Sequence, residues 1–439
     1  MYFIKFYNRD QELESLRQKD RQRGMNAAMT VIVGRRRTGK TTLISKAFEE
    51  KQYLYFFVGN STEQILCEEW QRKAEEVLGV QIHGQVTRIK DLLEIIFREA
   101  QARQVTLVID EFQRLEIINA AIISDIQDVW DRYHTTARMH FIACGSIWSM
   151  MKKIFENEHE PLFRRYTHKM VIRPFRPSVL KAILADHNPG YTNEDLLALY
   201  AITGGVAKYV SLFMDIGAVT KDRMFDAVCS PTSLFFSEGT ELLIGEFGKR
   251  YSVYFSIMQL IAGGMTSQSE IDGILKKKTG RYMETLENDY SLISKNRPMF
   301  SKPNVQGIKW FIDDNFLRFW FRFIESNRSM IELGKYSLLR EFLDKNYNQF
   351  SGFALEKYFR ELAGEQPRTT QVGHWWDNKG ENEIDLIALE DLDKKAVIAE
   401  VKRNPRKYSE ASLREKARHV LPYLKGYEVE YRGYSMEDM

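Results

Sequence analysis

"MTVIVGRRRTGKTTLISKAFEE", Met29–Glu50, is the stretch on which the fold turns. It opens as a β-branched run, Thr30 to Val33, and closes with apolar residues at helical spacing. Between the two lie Gly34, four residues, Gly39, Lys40 and Thr41, a glycine-rich loop in a strand–loop–helix setting. Glycines let such a loop turn its backbone N–H groups inward, and the next helix points its N-terminus at the same spot. The spacing predicts a polyphosphate cradle of Gly34, Arg35, Arg36, Arg37, Thr38, Gly39, Lys40, Thr41 and Thr42. Lys40 is expected to reach the terminal phosphates as the catalytic cation, and the Thr41 hydroxyl to ligate Mg²⁺. ATP and Mg²⁺ are therefore the expected cofactors.

A loop of this kind needs a second strand that ends in an acid. "QVTLVIDEFQRL" supplies one, an apolar run from Val105 to Ile109 closed by Asp110 and Glu111. Asp110 is expected to hold Mg²⁺ through its water shell, and Glu111 to orient and polarise the attacking water. A third strand, "MHFIACGS", ends in Ser146, which either senses the γ-phosphate and attacking water or caps the following helix. "PLFRRYTHKMVIRPF" places Arg164 and Arg165 ahead of a further strand. Arg165 is the candidate arginine finger for a neighbouring subunit or the closed state; an ordinary surface arginine is the other reading.

At 439 residues the chain suggests about two to four domains. A 44% hydrophobic content with 13% aromatics supports packed cores and excludes a disordered chain. Net charge is only +3, so any nucleic-acid site has to be a local patch. Cys67, Cys144 and Cys229 are far apart and read as reduced thiols of a cytoplasmic protein. No apolar run reaches the length of a membrane span, and the first sixteen residues lack a signal-type apolar core.

Downstream, "RPSVLKAILADH" and "TNEDLLALYAITGGVAKYVSLFMDI" read as amphipathic helices of a lid over 176–235. Over 236–333, three helices follow, one opened by a Ser267-x-x-Glu270 capping box, and then a two-stranded ribbon, "SKNRPMF…IKWFI". Three helices and a ribbon predict a winged helix-turn-helix. Its third helix carries Glu284, Glu287 and Asp289, which suits a scaffold better than a base reader, although Lys276–Arg281 could touch phosphates. "DDNFLRFWFRFI" is an aromatic helix at core spacing. In "NEIDLIALEDLDKKAVIAEVK", Asn382–Lys402, symmetric pairing about the charged loop sets Leu389 opposite Ala396 and Ile387 opposite Ile398. Asp385 then faces Glu400, and Glu383 faces Lys402. Opposed carboxylates repel, so the pair implies either a shared cation or a solvated face in another register. Trp375 and Trp376 read as core residues rather than stacking platforms.

The phosphate loop, the Asp110–Glu111 strand end, "CGSIWSMM", "PLFRRYT" and "TGGVAKYV" occur in an order that resembles a family of prokaryotic AAA-type, archaeal-ATPase or STAND-like P-loop ATPases. "FYNRDQELESL" is similar to that family's Phe-x-x-Arg-x-x-Glu-Leu opening, which implies Arg9 beside the adenine. Ala207 stands where the family's GGxPxYL segment has proline, and Arg164 where a glycine is common. Over 334–439, a helix with Glu356, a strand with Asp385 and a strand ending Glu400-x-Lys402 look like a PD-(D/E)xK nuclease core. That likeness implies Mg²⁺ on Glu356, Asp385 and Glu400, with Glu400 and Lys402 in the catalytic roles. The apolar run Ala396–Ala399 and the basic "KRNPRK" beside it favour a cation site over a solvated hairpin. The expected fold class is α/β: a P-loop NTPase parallel sheet over 1–175, helical lid, winged helix, then a small restriction-endonuclease-like domain. The resemblance implies Mg-dependent ATP hydrolysis coupled to DNA, with a metal-dependent nuclease module. The alternative is a slow ATP-operated switch or scaffold that binds DNA or a protein partner through a non-cleaving nuclease fold. A homo-oligomer or protein partner is expected, and no membrane.

Overall fold

Five strands answer the apolar runs of the first third of the chain: β1 Ala28–Val33, β2 Leu54–Phe57, β3 Val105–Asp110, β4 Met139–Gly145 and β5 His168–Val171. In the computed structural model, which describes residues 5–21, 26–247, 251–302, 308–377 and 380–439, all of them pair in parallel in the order β2-β3-β4-β1-β5. Every residue of β3 and β4 is buried, as central parallel strands covered on both faces require. Helix Ile89–Ala102 shows how the cover forms: Ile89, Leu92, Leu93, Ile96, Phe97 and Ala100 make one buried stripe. Trp70 of helix Glu63–Leu78 lies stacked on Phe56 of β2, ring centroids 4.6 Å apart.

The strand order has one consequence for chemistry. β4 lies between β1 and β3, so its C-terminal end separates the glycine-rich loop after β1 from the acids after β3. Gly145 closes β4 beside Cys144, which is in register with Asp110. A Cβ on Gly145 would lie 2.6 Å from Gln113 Oε1 and collide with the Met151 side chain.

The chain divides into two compact units, Asn8–Arg173 and the remainder, Pro174–Met439 with the residues up to Tyr7. Within the second unit, five helices lead from Pro177–His187 to Phe235–Phe247. Helices Tyr251–Ala262, Gln268–Leu275 and Gly280–Asn288 precede an antiparallel ribbon of β6 Ile293–Asn296 and β7 Lys309–Ile312. Residues 303–307 of the expected ribbon lie outside the described residues. Ser267 and Glu270 form the anticipated capping box. The aromatic helix differs from expectation: it is α-helical only over Asn315–Phe319 and continues as a π-helix, Trp320–Ile324. Trp320 explains why this segment is held, since its indole donates to the Phe235 carbonyl at 2.9 Å and its ring abuts Gly239.

Helix Tyr336–Gly364 then leads to a four-stranded sheet of β8 Gln371–Trp376, β9 Glu383–Glu390, β10 Lys395–Val401 and β11 Glu428–Tyr434. β8, β9 and β10 run antiparallel, and helix Glu410–Ala417 crosses over to β11, parallel to β10 at the sheet edge. One apolar cluster extends from Leu180 through Trp320 and Tyr358 to Leu386, Ala399 and Met439. The three segments expected as lid, winged helix and C-terminal domain thus share a core. Polar ties reinforce the join: Asn193 donates to the Met436 carbonyl at 2.7 Å, and Arg403 reaches both Ser351 Oγ, at 2.7 Å, and Glu194. No helix among the described residues is long and apolar enough to cross a membrane.

Gly145→Ala is expected to destabilise the first unit by about 1–3 kcal/mol through overpacking. Urea denaturation checks this; unchanged stability would mean that Met151 and Gln113 can move aside.

Candidate nucleotide site and C-terminal carboxylate cluster

The glycine-rich loop has the backbone its sequence demands. Gly39 has φ +89° and Arg37 φ +73°, left-handed values that let consecutive N–H groups face inward. A Cβ on Gly34 would stand 2.5 Å from the Ile172 carbonyl oxygen, and a backbone atom cannot yield as a side chain can. The Thr38 hydroxyl donates to the Arg35 carbonyl at 2.9 Å, and Arg35, Arg36 and Arg37 are half-buried. Lys40 is buried, and its ammonium donates to the Gly34 and Arg35 carbonyls at 2.7 and 2.9 Å. Thr41 and Thr42 open the following helix on its exposed side.

Asp110 joins this loop to β3. Its Oδ2 accepts from Thr41 Oγ1 at 3.0 Å and from the Tyr55 hydroxyl at 2.5 Å, while Oδ1 accepts from the Glu111 amide at 2.9 Å. Burial, and then the Asp110 carboxylate, raise the Tyr55 hydroxyl well above its ordinary pKa, so it stays a donor. Glu111 has φ +57°, a strained value for a non-glycine residue. Its carboxylate accepts from Gln113 Nε2 at 2.8 Å and from Ser146 Oγ at 3.1 Å. Ser146 is therefore joined to the acids through Glu111. A hydroxyl and a carboxylate 3.0 Å apart, beside a buried lysine and inward-turned amides, suit a Mg²⁺–polyphosphate group.

Tyr55 and Gln113 went unpredicted. Gln113 is fully buried, and a glutamine inside the apolar "DEFQRL" turn, two residues after Glu111, was the available signal. Tyr55 carried none, because its approach to Asp110 depends on which strand neighbours β3. Arg9 has φ +74°, donates to Glu12 at 3.1 Å and also reaches the Arg173 carbonyl. Arg165 is not brought to the loop. It forms a two-pronged ion pair with Asp131, at 2.8 and 2.7 Å, near the N-terminal end of β5, while the loop follows the C-terminal end of β1. Asp131, in the last turn of helix Ala121–Tyr133, pairs with its guanidinium, which fits the surface-arginine reading. Arg164 is exposed, over the Phe163 ring.

The C-terminal hairpin adopts the anticipated register, with Leu389 opposite Ala396 and Ile387 opposite Ile398. Backbone pairing runs to Leu386–Ala399, and beyond it Asp385 Oδ2 accepts the Val401 amide at 2.8 Å. The same oxygen accepts from Lys402 at 3.0 Å, and Lys402 lies 3.8 Å from Glu400. Glu400 is also paired with Lys416, and Glu356 with Arg360 at 3.7 Å. The expected Mg²⁺ set of Glu356, Asp385 and Glu400 is accordingly not assembled. Among the described residues no group of three or more His, Cys, Asp or Glu side chains is arranged to hold a metal ion. Lysine ammoniums, not a cation site, balance Asp385 and Glu400 here. Of the basic "KRNPRK", Lys402 and Arg403 are bound internally, while Arg406 and Lys407 are exposed. Trp376 is buried, and Trp375 stacks on His419 at 5.4 Å.

Comparison with known proteins fits this geometry. Residues 6–213 match the model of an ATPase domain predominantly from Archaea, and residues 320–415 match a model described as archaeal and bacterial proteins of unknown function. The first stretch is thus similar to an archaeal-type P-loop ATPase domain, and the later one to that C-terminal domain. An uncharacterized protein of Methanocaldococcus jannaschii is 29% identical over 406 residues, 90% of this chain and 87% of the relative. A Walker-type ATPase of Pyrococcus abyssi is similar in fold, with TM-score 0.54 and 17% identity over 72% of this chain and 96% of that one. The ORC2 protein of Aeropyrum pernix is similar at TM-score 0.50 and 15% identity, over 74% and 94%.

Two outcomes follow from the geometry. Lys40→Ala is expected to abolish measurable ATP binding in calorimetry, whereas retained affinity would contradict the cradle. Burial and the Asp385 carboxylate push Glu356 from 4.5 up to about 7. A raised carboxyl pKa adds stability that is full below the unfolded value and lost as pH rises through the folded one. The wild-type protein is therefore expected to lose stability between pH 4.5 and about 7, and Glu356→Gln to flatten that slope in urea titrations. Parallel curves would contradict the assignment.

Proposed function

We propose that the first unit hydrolyses ATP and that the cycle governs contact between the second unit and DNA. The observation that carries the ATP half is the junction of Thr41, Asp110, Glu111 and Ser146 at the C-terminal edge of the sheet. Thr41 and Asp110 would hold Mg²⁺, which when bound neutralises phosphate charge. Lys40 binds the terminal phosphates, Glu111 orients water and takes its proton, and Ser146 with Gln113 fixes the Glu111 carboxylate. The Aeropyrum pernix relative is described in ADPNP–ADP complexes, and its similar fold supports nucleotide at this edge.

For the DNA half, the support is architectural. Three helices and an antiparallel ribbon are the parts of a winged helix. The succession helix, three antiparallel strands, helix and parallel strand, with Asp385 and Glu400-x-Lys402 at adjoining strand ends, supports a nuclease-like reading. Lysines on Asp385 and Glu400 favour binding over cutting, which makes the protein an ATP-operated DNA-binding switch. Cleavage is the second reading, favoured by the position of Lys402 between Asp385 and Glu400.

ATP turnover with and without duplex DNA, run beside a supercoiled-plasmid assay in Mg²⁺ or Mn²⁺, tests both. The switch reading predicts DNA-dependent turnover and an intact plasmid. Nicking that disappears in Glu400→Ala and Lys402→Ala would replace it with the nuclease reading, and turnover indifferent to DNA would contradict the coupling.

A further inference from the structure

Arg318 is a charged residue in a segment otherwise given to the core. It lies in "FLRFWFRFI" between Leu317 and Phe319, both fully buried. Its guanidinium carbon is 3.5 Å from the Phe353 ring centroid and 5.4 Å from that of Phe350. Among the described residues that guanidinium makes no hydrogen bond and no ion pair within 4.0 Å. Its nitrogens are half-buried, still reached by solvent, and without a protein acceptor, an arrangement that costs some solvation. Burial pushes the group down to about 10, against the pull of the Glu356 carboxylate. A fold bears such a cost where the donors are reserved for something else. The π-helix Trp320–Ile324 begins two residues later, and such widened turns are frequent at functional sites.

Other cations gather around it from separate segments. Arg360 donates to the Asp385 carbonyl at 2.9 Å and lies 5.9 Å from the Phe353 ring. Lys309 of β7 lies 4.9 Å over the Trp376 ring, and Phe311 of the same strand stacks on Phe353 at 5.3 Å. His374 reports the local field: burial first, then Arg360 and Lys309, hold it down at about 3, so it stays neutral. Half-buried cations on aromatic faces, beside Asp385 and Lys402, are a pattern that holds phosphate groups in place.

We propose that Arg318, with Arg360 and Lys309, forms a phosphate-binding shelf that holds a nucleic-acid backbone beside Asp385 and Lys402. This rests on the DNA-binding reading above and names the residues that grip the strand. The guanidinium fork of Arg318 is pinned by Phe353 and leaves its donors free for two phosphate oxygens. A lone phosphate is repelled by Glu356 and Asp385 in the same neighbourhood, whereas a strand offsets that repulsion through contacts with Lys309 on one side and Lys402 on the other. The shelf joins the ribbon, the aromatic segment and the C-terminal domain, so it exists only in the full second unit.

The test is fluorescence anisotropy of the full chain with a short labelled oligonucleotide, single-stranded and duplex, over a range of salt. Arg318→Gln is expected to weaken binding about tenfold and to lower the salt slope by about one. Arg318→Lys should restore the slope with only part of the affinity, because the planar fork is lost. Circular dichroism monitors folding, and if Arg318→Gln does not fold, Lys309→Gln on the half-exposed ribbon strand carries the same expectation. Wild-type binding that neither Arg318→Gln nor Lys309→Gln alters in affinity or slope overturns the shelf and leaves the DNA reading standing. No binding by the wild type overturns both. Competition by inorganic phosphate at concentrations equal to the oligonucleotide would make this a small-anion site and overturn the assignment to nucleic acid.

Discussion

The carboxylate of Asp110 is where the first unit is tied together. It takes the Thr41 hydroxyl from the glycine-rich loop, the Tyr55 hydroxyl from β2 and the amide of Glu111 from its own strand end. Three chain segments distant in sequence are thus held to one buried charge, and each hydrogen bond to that charge is stronger than a neutral one. The parallel sheet makes this meeting possible. Because β4 lies between β1 and β3, the loop and the acids are one strand apart, and Ser146 fills the space between them. The strained backbone of Glu111 follows from aiming its side chain back at Ser146 and Gln113.

The second unit depends on a different device, a shared apolar core reinforced by polar ties. Arg403 is bound to Ser351 and Glu194 while its neighbour Lys402 is bound to Asp385. The end of β10 is therefore fastened directly to helix Asn193–Thr203. That helix and the Lys402–Asp385 contact are thus linked through adjacent residues of one chain segment.

Local features were readable from residues alone. Glycine spacing specified the phosphate loop, since only glycine tolerates the Ile172 carbonyl at Gly34. Symmetric pairing about the charged turn set the register of the β9–β10 hairpin, and a slip of one residue would exchange the side chains of its two buried faces. The Ser267–Glu270 cap is equally local. What depended on distant chain was not legible. Tyr55 reaches Asp110 only because β2 pairs with β3, and Lys416 reaches Glu400 from a helix that packs on the sheet. Hairpin pairing brought Asp385 and Glu400 to adjoining strand ends beside Lys402, but gave no sign of Lys416, which comes from the crossover helix. The partner of Arg165, Asp131, likewise comes from another helix and left no local sign.

The central claim is that the chain hydrolyses ATP at the Asp110–Glu111 strand end. Its most direct test is single-turnover ATP hydrolysis by Glu111→Gln, with ATP binding measured on the same preparation. The account predicts affinity close to wild type and a hydrolysis rate lower by about 10²–10⁴, the range for loss of a general base. Hydrolysis at the wild-type rate by Glu111→Gln would contradict it.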